Sequence, residues 1–207
     1  FVWNPITRSK IELNDLSGPP ITNLVATFSF WLGGETFIKF IIPFTAFATS
    51  LATFLLVKRL HDVTSGVIAA ILIMSIPSFV TYSVLVYKDV FVTFYTVMFF
   101  LMFVMAKQEK KRIYWILMGI FGVLSFLSKV SGVNSFFFIF AVMVYEILEA
   151  RTLKFSLIKN YLIVLGVSIL LVTPFLARNY YYYHTPICAF PYISKFFDTS
   201  GCQVKLK

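Results

Sequence analysis

Long stretches of this sequence carry almost no charge. From Phe37 to Val57 there is a single charged side chain, Lys39, and from Val63 to Ser83 there is none. Val90–Ala106, Ile113–Leu127 and Tyr161–Leu176 are equally uncharged, and Val133–Leu148 holds only Glu146. Crossing the hydrocarbon core of a bilayer takes about 20 apolar residues in a helix. Charged residues make up 13% of the chain, against roughly 25% in a soluble domain. That density cannot cover a water-facing surface, so a soluble enzyme and a disordered chain are both excluded. The predicted fold is all-α, a polytopic transmembrane helical bundle of about six spans. A shorter apolar run, Ile21–Leu32, carries Thr22, Asn23, Thr27 and Ser29 and ends at Gly33-Gly34. It reads as a helix lying in the membrane interface. The expected organisation is a loop and interfacial helix over 1–36, a membrane domain over 37–178, and a tail or the start of a further segment over 179–207.

Eighteen basic and nine acidic residues give a net charge of +9. The basic residues cluster at the ends of the apolar runs, which is a topology signal. No basic stripe with interleaved stacking aromatics is present, so nucleic acid is not an expected partner. Lys58-Arg59, then Lys107 with Lys110-Lys111-Arg112, then Arg151, Lys154 and Lys159 mark alternate connections, which places those cytoplasmically. The Tyr82–Asp89 turn, the Lys129–Gly132 turn and the residues after Arg178 then lie outside. The aromatic run Tyr180–Tyr183 fits an interfacial belt.

A few polar residues stand near membrane ends. Asp89, after Lys88, opens the third span. It is read either as an acid favoured at a helix N-terminus or as a carboxylate at the mouth of a cavity. Lys129 ends an apolar helix and precedes the turn Val130-Ser131-Gly132. It is read as a snorkelling lysine, or as a cation for Asp89 or a lipid phosphate. By topology Asp89 and Lys129 share one membrane face. Arg178 closes the last span, as an interfacial anchor or a phosphate ligand. Asp15 precedes Gly18-Pro19-Pro20 and reads first as a loop acid. Cys188 and Cys202 in the outer tail are a disulfide candidate. Neither cysteine has a companion His or Cys cluster, so no metal site is expected. His61 and His184 have no triad neighbours, and neither a P-loop nor GxGxxG is present.

The order of these landmarks resembles one family. Gly18-Pro19-Pro20, the aromatic helix ending Trp31-Leu32-Gly33-Gly34-Glu35, then Lys39 and Pro43 resemble its opening block. Lys58-Arg59, Gly66, Pro77, Tyr82-Ser83 and Lys88-Asp89 follow in order. Gly119, Gly122 and Leu127-Ser128-Lys129 resemble its glycine-rich helix ending in lysine, and Pro174, Arg178-Asn179-Tyr180 and Pro186 its exit. The family is that of the dolichyl-phosphate-mannose protein mannosyltransferases and the related aminoarabinose transferases, polytopic enzymes of the GT-C fold. The resemblance runs from Gly18 to about Tyr192.

It implies transfer of a sugar, with inversion, from a polyprenyl-phosphate donor to a protein, lipid or glycan acceptor on the extracytoplasmic face. It implies that Asp89, Lys129, Arg178, Lys88 and Tyr82 line the donor site, and that the catalytic acid lies upstream of Phe1. Asp15 is the visible alternative, although it lies close to Pro19. Relatives often carry lysine where this chain has Gly18, and arginine where it has Lys39. The implied partners are membrane lipid, the polyprenyl-phosphate sugar and the acceptor, in a prokaryotic plasma membrane or the endoplasmic reticulum. The donor sugar is the one substrate group implied, and the resemblance leaves open whether a divalent metal assists. Two other readings compete: a non-catalytic membrane subunit or degenerate relative with a protein partner, and a lipid transporter. The second is weaker because the charges sit at helix ends rather than at mid-bilayer.

Overall fold

The computed structural model describes residues 21–84, 88–150 and 155–183. The described residues form α1 (Ile21–Leu60), α2 (Val63–Ser75), α3 (Pro77–Val84), α4 (Lys88–Glu109), α5 (Arg112–Ser128), a 3-10 turn (Val130–Val133), α6 (Asn134–Ala150) and α7 (Phe155–Tyr183), with no strand among them. An all-α helical bundle is what the sequence pattern demanded. Asp15, Cys188, Cys202 and His184 lie outside the described residues.

α1 is two helices meeting at a break. Gly34 has φ 65°, a left-handed conformation that glycine adopts without penalty, so the chain changes direction after Leu32. The first part is an arm; the second, from Lys39 to Leu60, is long and apolar enough to cross a membrane. So are Lys88–Glu109, Ser131–Glu149 and Ile158–Tyr181. At 1.5 Å per residue, the 22-residue α4 is about 33 Å long, enough for a hydrocarbon core of about 30 Å.

Three expectations change in detail. The second apolar segment is not one straight span: α2 and α3 meet at 66°. Pro77 forces Ile76 into an extended conformation (φ −70°, ψ 115°) and starts the next helix at the position where its missing N–H is harmless. The last segment does not end with the apolar run at Leu176: α7 passes through Pro174 and runs on to Tyr183. In a membrane helix local hydroxyls and neighbouring helices offset a proline's lost bond; the adjacent Thr173 hydroxyl donates to the Ile169 carbonyl at 2.6 Å. The fourth segment, α5, has 17 residues and falls short of the others as a span.

α5 is instead the centre of the bundle, packed between α4 and α7. Met118 and Phe99 are fully buried there, with Trp115, Leu101 and Val164 around them. The outward faces carry Phe44, Phe47, Leu72, Phe137, Phe140 and Leu170, each more than half exposed. A water-soluble protein cannot display such a surface, whereas lipid accommodates it. Several hydroxyls in these helices bond to their own helix's backbone. Thr45, Thr49 and Thr53 each donate to the carbonyl four residues earlier at 2.8 Å, which satisfies these three in an apolar setting.

The two ends of the bundle differ. At one end Arg59 reaches Glu109 at 3.0 Å, and the Gln108 amide caps the Arg59 carbonyl at 2.9 Å. Glu109 also accepts from Lys111 and Tyr114, so α1, α4 and α5 are tied together there. Asp62 caps α2 by accepting the Ser65 N–H at 2.7 Å, and that bond holds its carboxyl below the usual carboxylate range. Slightly deeper, Lys107 pairs with Glu146 and donates to the Tyr161 hydroxyl at 3.1 Å; that hydroxyl donates to Glu146 at 2.8 Å. The Lys107 ammonium also faces the rings of Phe103, Trp115 and Tyr161 at 5.3–5.6 Å. This cluster joins α4, α5, α6 and α7. Lys107→Met is expected to destabilise the protein by about 2 kcal/mol, the scale of a charged hydrogen bond. Glu146→Gln, which keeps a partner for Tyr161, is expected to cost less. Thermal unfolding in detergent checks the ranking.

Candidate functional site

The other end of the bundle is built around the start of α4 and the end of α5. α4 is anchored by Val90 and Phe91, both buried, which pack with Ile42, Ala46 and Phe79. Asp89 is therefore held in the first turn, with its backbone carbonyl accepting the Thr93 hydroxyl at 2.8 Å. α5 ends because Lys129 leaves the helix with φ −157° and ψ 145°, its N–H bonding the Ser125 carbonyl at 3.1 Å. The 3-10 turn then folds straight back. Gly132 donates to the Lys129 carbonyl at 2.9 Å and lies directly on the α5 backbone. A Cβ at Gly132 would meet the Ser125 carbonyl carbon at 2.3 Å and the Phe126 nitrogen at 2.5 Å.

This turn aims Lys129 at α4. Its Nζ lies 2.5 Å from Asp89 Oδ1, so the two residues that the topology placed on one face are in contact. Below them, the Ser125 and Thr96 hydroxyls lie 2.8 Å apart, and Ser125 also reaches the Val92 carbonyl at 3.5 Å. These bonds fix α5 against α4 and hold the pair in register. The side chains of Asp89 and Lys129 are 31% and 47% exposed, so the pair is open to solvent or a ligand. An ammonium has three donors and Asp89 takes one of them. The remaining donors suit an anionic oxygen, such as that of a phosphate.

Other candidates share this end. Leu127, just before Lys129, packs with Phe175 and Leu176, just before Arg178, so α5 and α7 exit together. Arg178 is exposed there. Tyr82 lies one turn beyond Phe79, which belongs to the Val90–Phe91 cluster, and Lys88 adjoins Asp89. The α1 arm runs across the same end: Ile21 packs on the Leu127–Phe175 cluster and Val25 on the Val90–Phe91 cluster. Its outer face presents Leu24, Phe28, Trp31 and Leu32, all exposed, as an interfacial helix requires. Among the described residues no group of His, Cys, Asp and Glu is arranged to hold a metal ion.

Several residues here had no distinct sequence signal. Ser125 and Thr96 look like ordinary hydroxyls in apolar helices, and nothing in their spacing says they meet. Ser135 is equally unremarked. Thr22 and Asn179 were visible as polar residues in apolar surroundings, but their depth of burial was not.

The fold and this end define an integral membrane protein, with apolar walls and a charged pair at one membrane-facing rim. Residues 17–177 match the family model for dolichyl-phosphate-mannose-protein mannosyltransferases, and the chain belongs to that family. It is thus a membrane glycosyltransferase of the mannosyltransferase type, as the resemblance implied. No curated protein and no solved structure matches the chain.

Proposed function

We propose that the protein transfers a sugar from a polyprenyl-phosphate donor to an acceptor on the extracytoplasmic face, with inversion at the anomeric carbon. The observation that supports this most is the Asp89–Lys129 contact at one rim of an apolar bundle in a chain of this family. Lys129 offers its free donors to the donor phosphate, and Asp89 holds Lys129 in place. Arg178 and Lys88 add positive charge at the same end. The exposed apolar helices give the prenyl tail a lipid-like path.

In the reaction an acceptor hydroxyl oxygen attacks the anomeric carbon as its bond to the phosphate oxygen breaks. The electron pair leaves with the prenyl phosphate, whose growing charge Lys129 neutralises. The hydroxyl proton passes to a general base. By family resemblance this base is a carboxylate other than Asp89, and Asp89 is then the positioning partner of Lys129. Reconstituting the full-length protein in vesicles with radiolabelled polyprenyl-phosphate mannose and membrane extract tests the reading. Label is expected to move to the acceptor with release of polyprenyl phosphate. A donor left intact under all acceptor conditions would count against it and favour a non-catalytic subunit.

A further inference from the structure

Two breaks in the backbone at the Asp89–Lys129 end stand unusually close to the opposite end of the bundle. Charge fixes the level of that opposite end. Arg59 and Lys111 both pair with Glu109 there, Asp62 caps α2, and Arg112 opens α5. From Asp62, α2 rises for 13 residues, about 20 Å, before Ile76 turns extended and α3 leans away at 66°. On the other flank Gly132 rests on the backbone of Ser125 and Phe126. Arg112 to Ser125 is again about 20 Å of helix. A third length agrees. α6 rises about 18 Å from Glu146, which is tied to Lys107 and Tyr161, to Asn134.

A hydrocarbon core of about 30 Å would leave both breaks about 10 Å inside it. Neither suits that setting. Ile76 is 47% exposed, and Ser78, Ser131 and Asn134 are exposed as well. Ser78 and Phe79 stand in the first turn of α3, where helix N–H groups have no partner within their own helix. Irregular backbone is tolerated at membrane depth only inside protein or against water, not against lipid. Below the breaks the outward faces are apolar, with Ile71 and Leu72 on α2 and Phe140 and Leu148 on α6 all exposed. Lipid therefore climbs both flanks and stops about 20 Å above the charged end. The longer helices do not oppose this. A long apolar helix fits a thin bilayer by tilting, whereas a short one cannot lengthen.

We infer that the protein thins the bilayer beside it, and that the leaflet at the Asp89–Lys129 end dips to meet Ile76–Phe79 and Ser131–Asn134. α3 packs through Phe79 on Val90 and Phe91, next to Asp89, and the 3-10 turn follows Lys129 directly. The dip thus adjoins the charged pair and brings headgroup phosphates down to its level. The partner is the bulk phospholipid, so the inference stands apart from the sugar donor and the acceptor.

The test places the full-length protein in nanodiscs of phosphatidylcholine with monounsaturated chains of 14, 18 or 22 carbons. Amide hydrogen exchange is followed by mass spectrometry, together with the thermal midpoint. Peptides covering Ile76–Phe79 and Ser131–Asn134 are expected to exchange fast in the two thinner bilayers. In the 22-carbon bilayer their exchange is expected to slow at least 10-fold, and the thermal midpoint to fall, because a deeper dip costs more. Peptides from the middle of α4 are expected to stay protected throughout. Slow exchange at both breaks in all three bilayers would overturn the inference, since hydrocarbon then covers them. Fast exchange in all three with a constant midpoint would overturn it too, since a water-filled crevice then serves the breaks and the lipid is not deformed.

Discussion

Lys129→Met is expected to lower sugar transfer by the full-length protein about 100-fold while leaving it folded. The size follows from removing a single preorganised donor at a developing negative charge, which reduces turnover by roughly 100- to 1,000-fold. The fold is expected to tolerate the change because a half-exposed ion pair contributes only about 0–1 kcal/mol to stability. Methionine also keeps the length and apolar stem of lysine. Asp89→Asn preserves the shape of the carboxylate and a hydrogen bond to Lys129 but removes the charge that orients it. A smaller loss, about 10-fold, is expected there. Transfer rates and thermal midpoints measured on the same preparations separate the two effects. Normal turnover in both variants would remove Asp89 and Lys129 from the site.

Gly132→Ala is expected to be the most damaging small substitution at this end. Its Cβ would lie 2.3 Å from the Ser125 carbonyl carbon, and backbone cannot yield as a side chain can. Either the 3-10 turn lifts off α5 or the last turn of α5 unwinds. Overpacking of this kind destabilises by about 3 kcal/mol. Both movements shift Lys129 away from Asp89, so transfer is expected to fall together with stability. Gly166→Ala in α7 is the control, because a Cβ there meets nothing within 4 Å and alanine favours the helix. It is expected to leave the thermal midpoint unchanged or slightly raised. Matching losses in the two variants would show that the loss at Gly132 is not steric.

The helical segments were legible because a run of uncharged residues has only one way to satisfy its backbone in lipid. The shared face of Asp89 and Lys129 was legible for a related reason: alternate connections must emerge on the same side. Their contact was not, since it depends on how Gly132 folds the turn back onto Ser125. Pro77 and Pro174 show the limit of local rules. One proline breaks its segment by 66° and the other sits inside a continuous helix. Both look alike in sequence, and tertiary packing decides between them. Lys107 was read by its position, as a marker of a membrane side, and Glu146 stood only as the single charge in an apolar run. Their pairing through Tyr161 joins residues 39 positions or more from Lys107, beyond the reach of any periodicity. Asn179, Ser135 and Thr22 are ordinary in composition, and only their burial without partners sets them apart.

The most direct test of the account is where a polyprenyl phosphate sits on the protein. A photoactivatable polyprenyl phosphate, with the reactive group next to the phosphate, is bound to the full-length protein in vesicles and cross-linked with and without excess unlabelled lipid. Competed labelling is expected on peptides containing Tyr82–Phe91 and Leu127–Phe136, which flank the Asp89–Lys129 pair. Competed labelling confined to the opposite end, around Arg59, Glu109 and Lys111, would contradict the placement of the donor phosphate at Lys129.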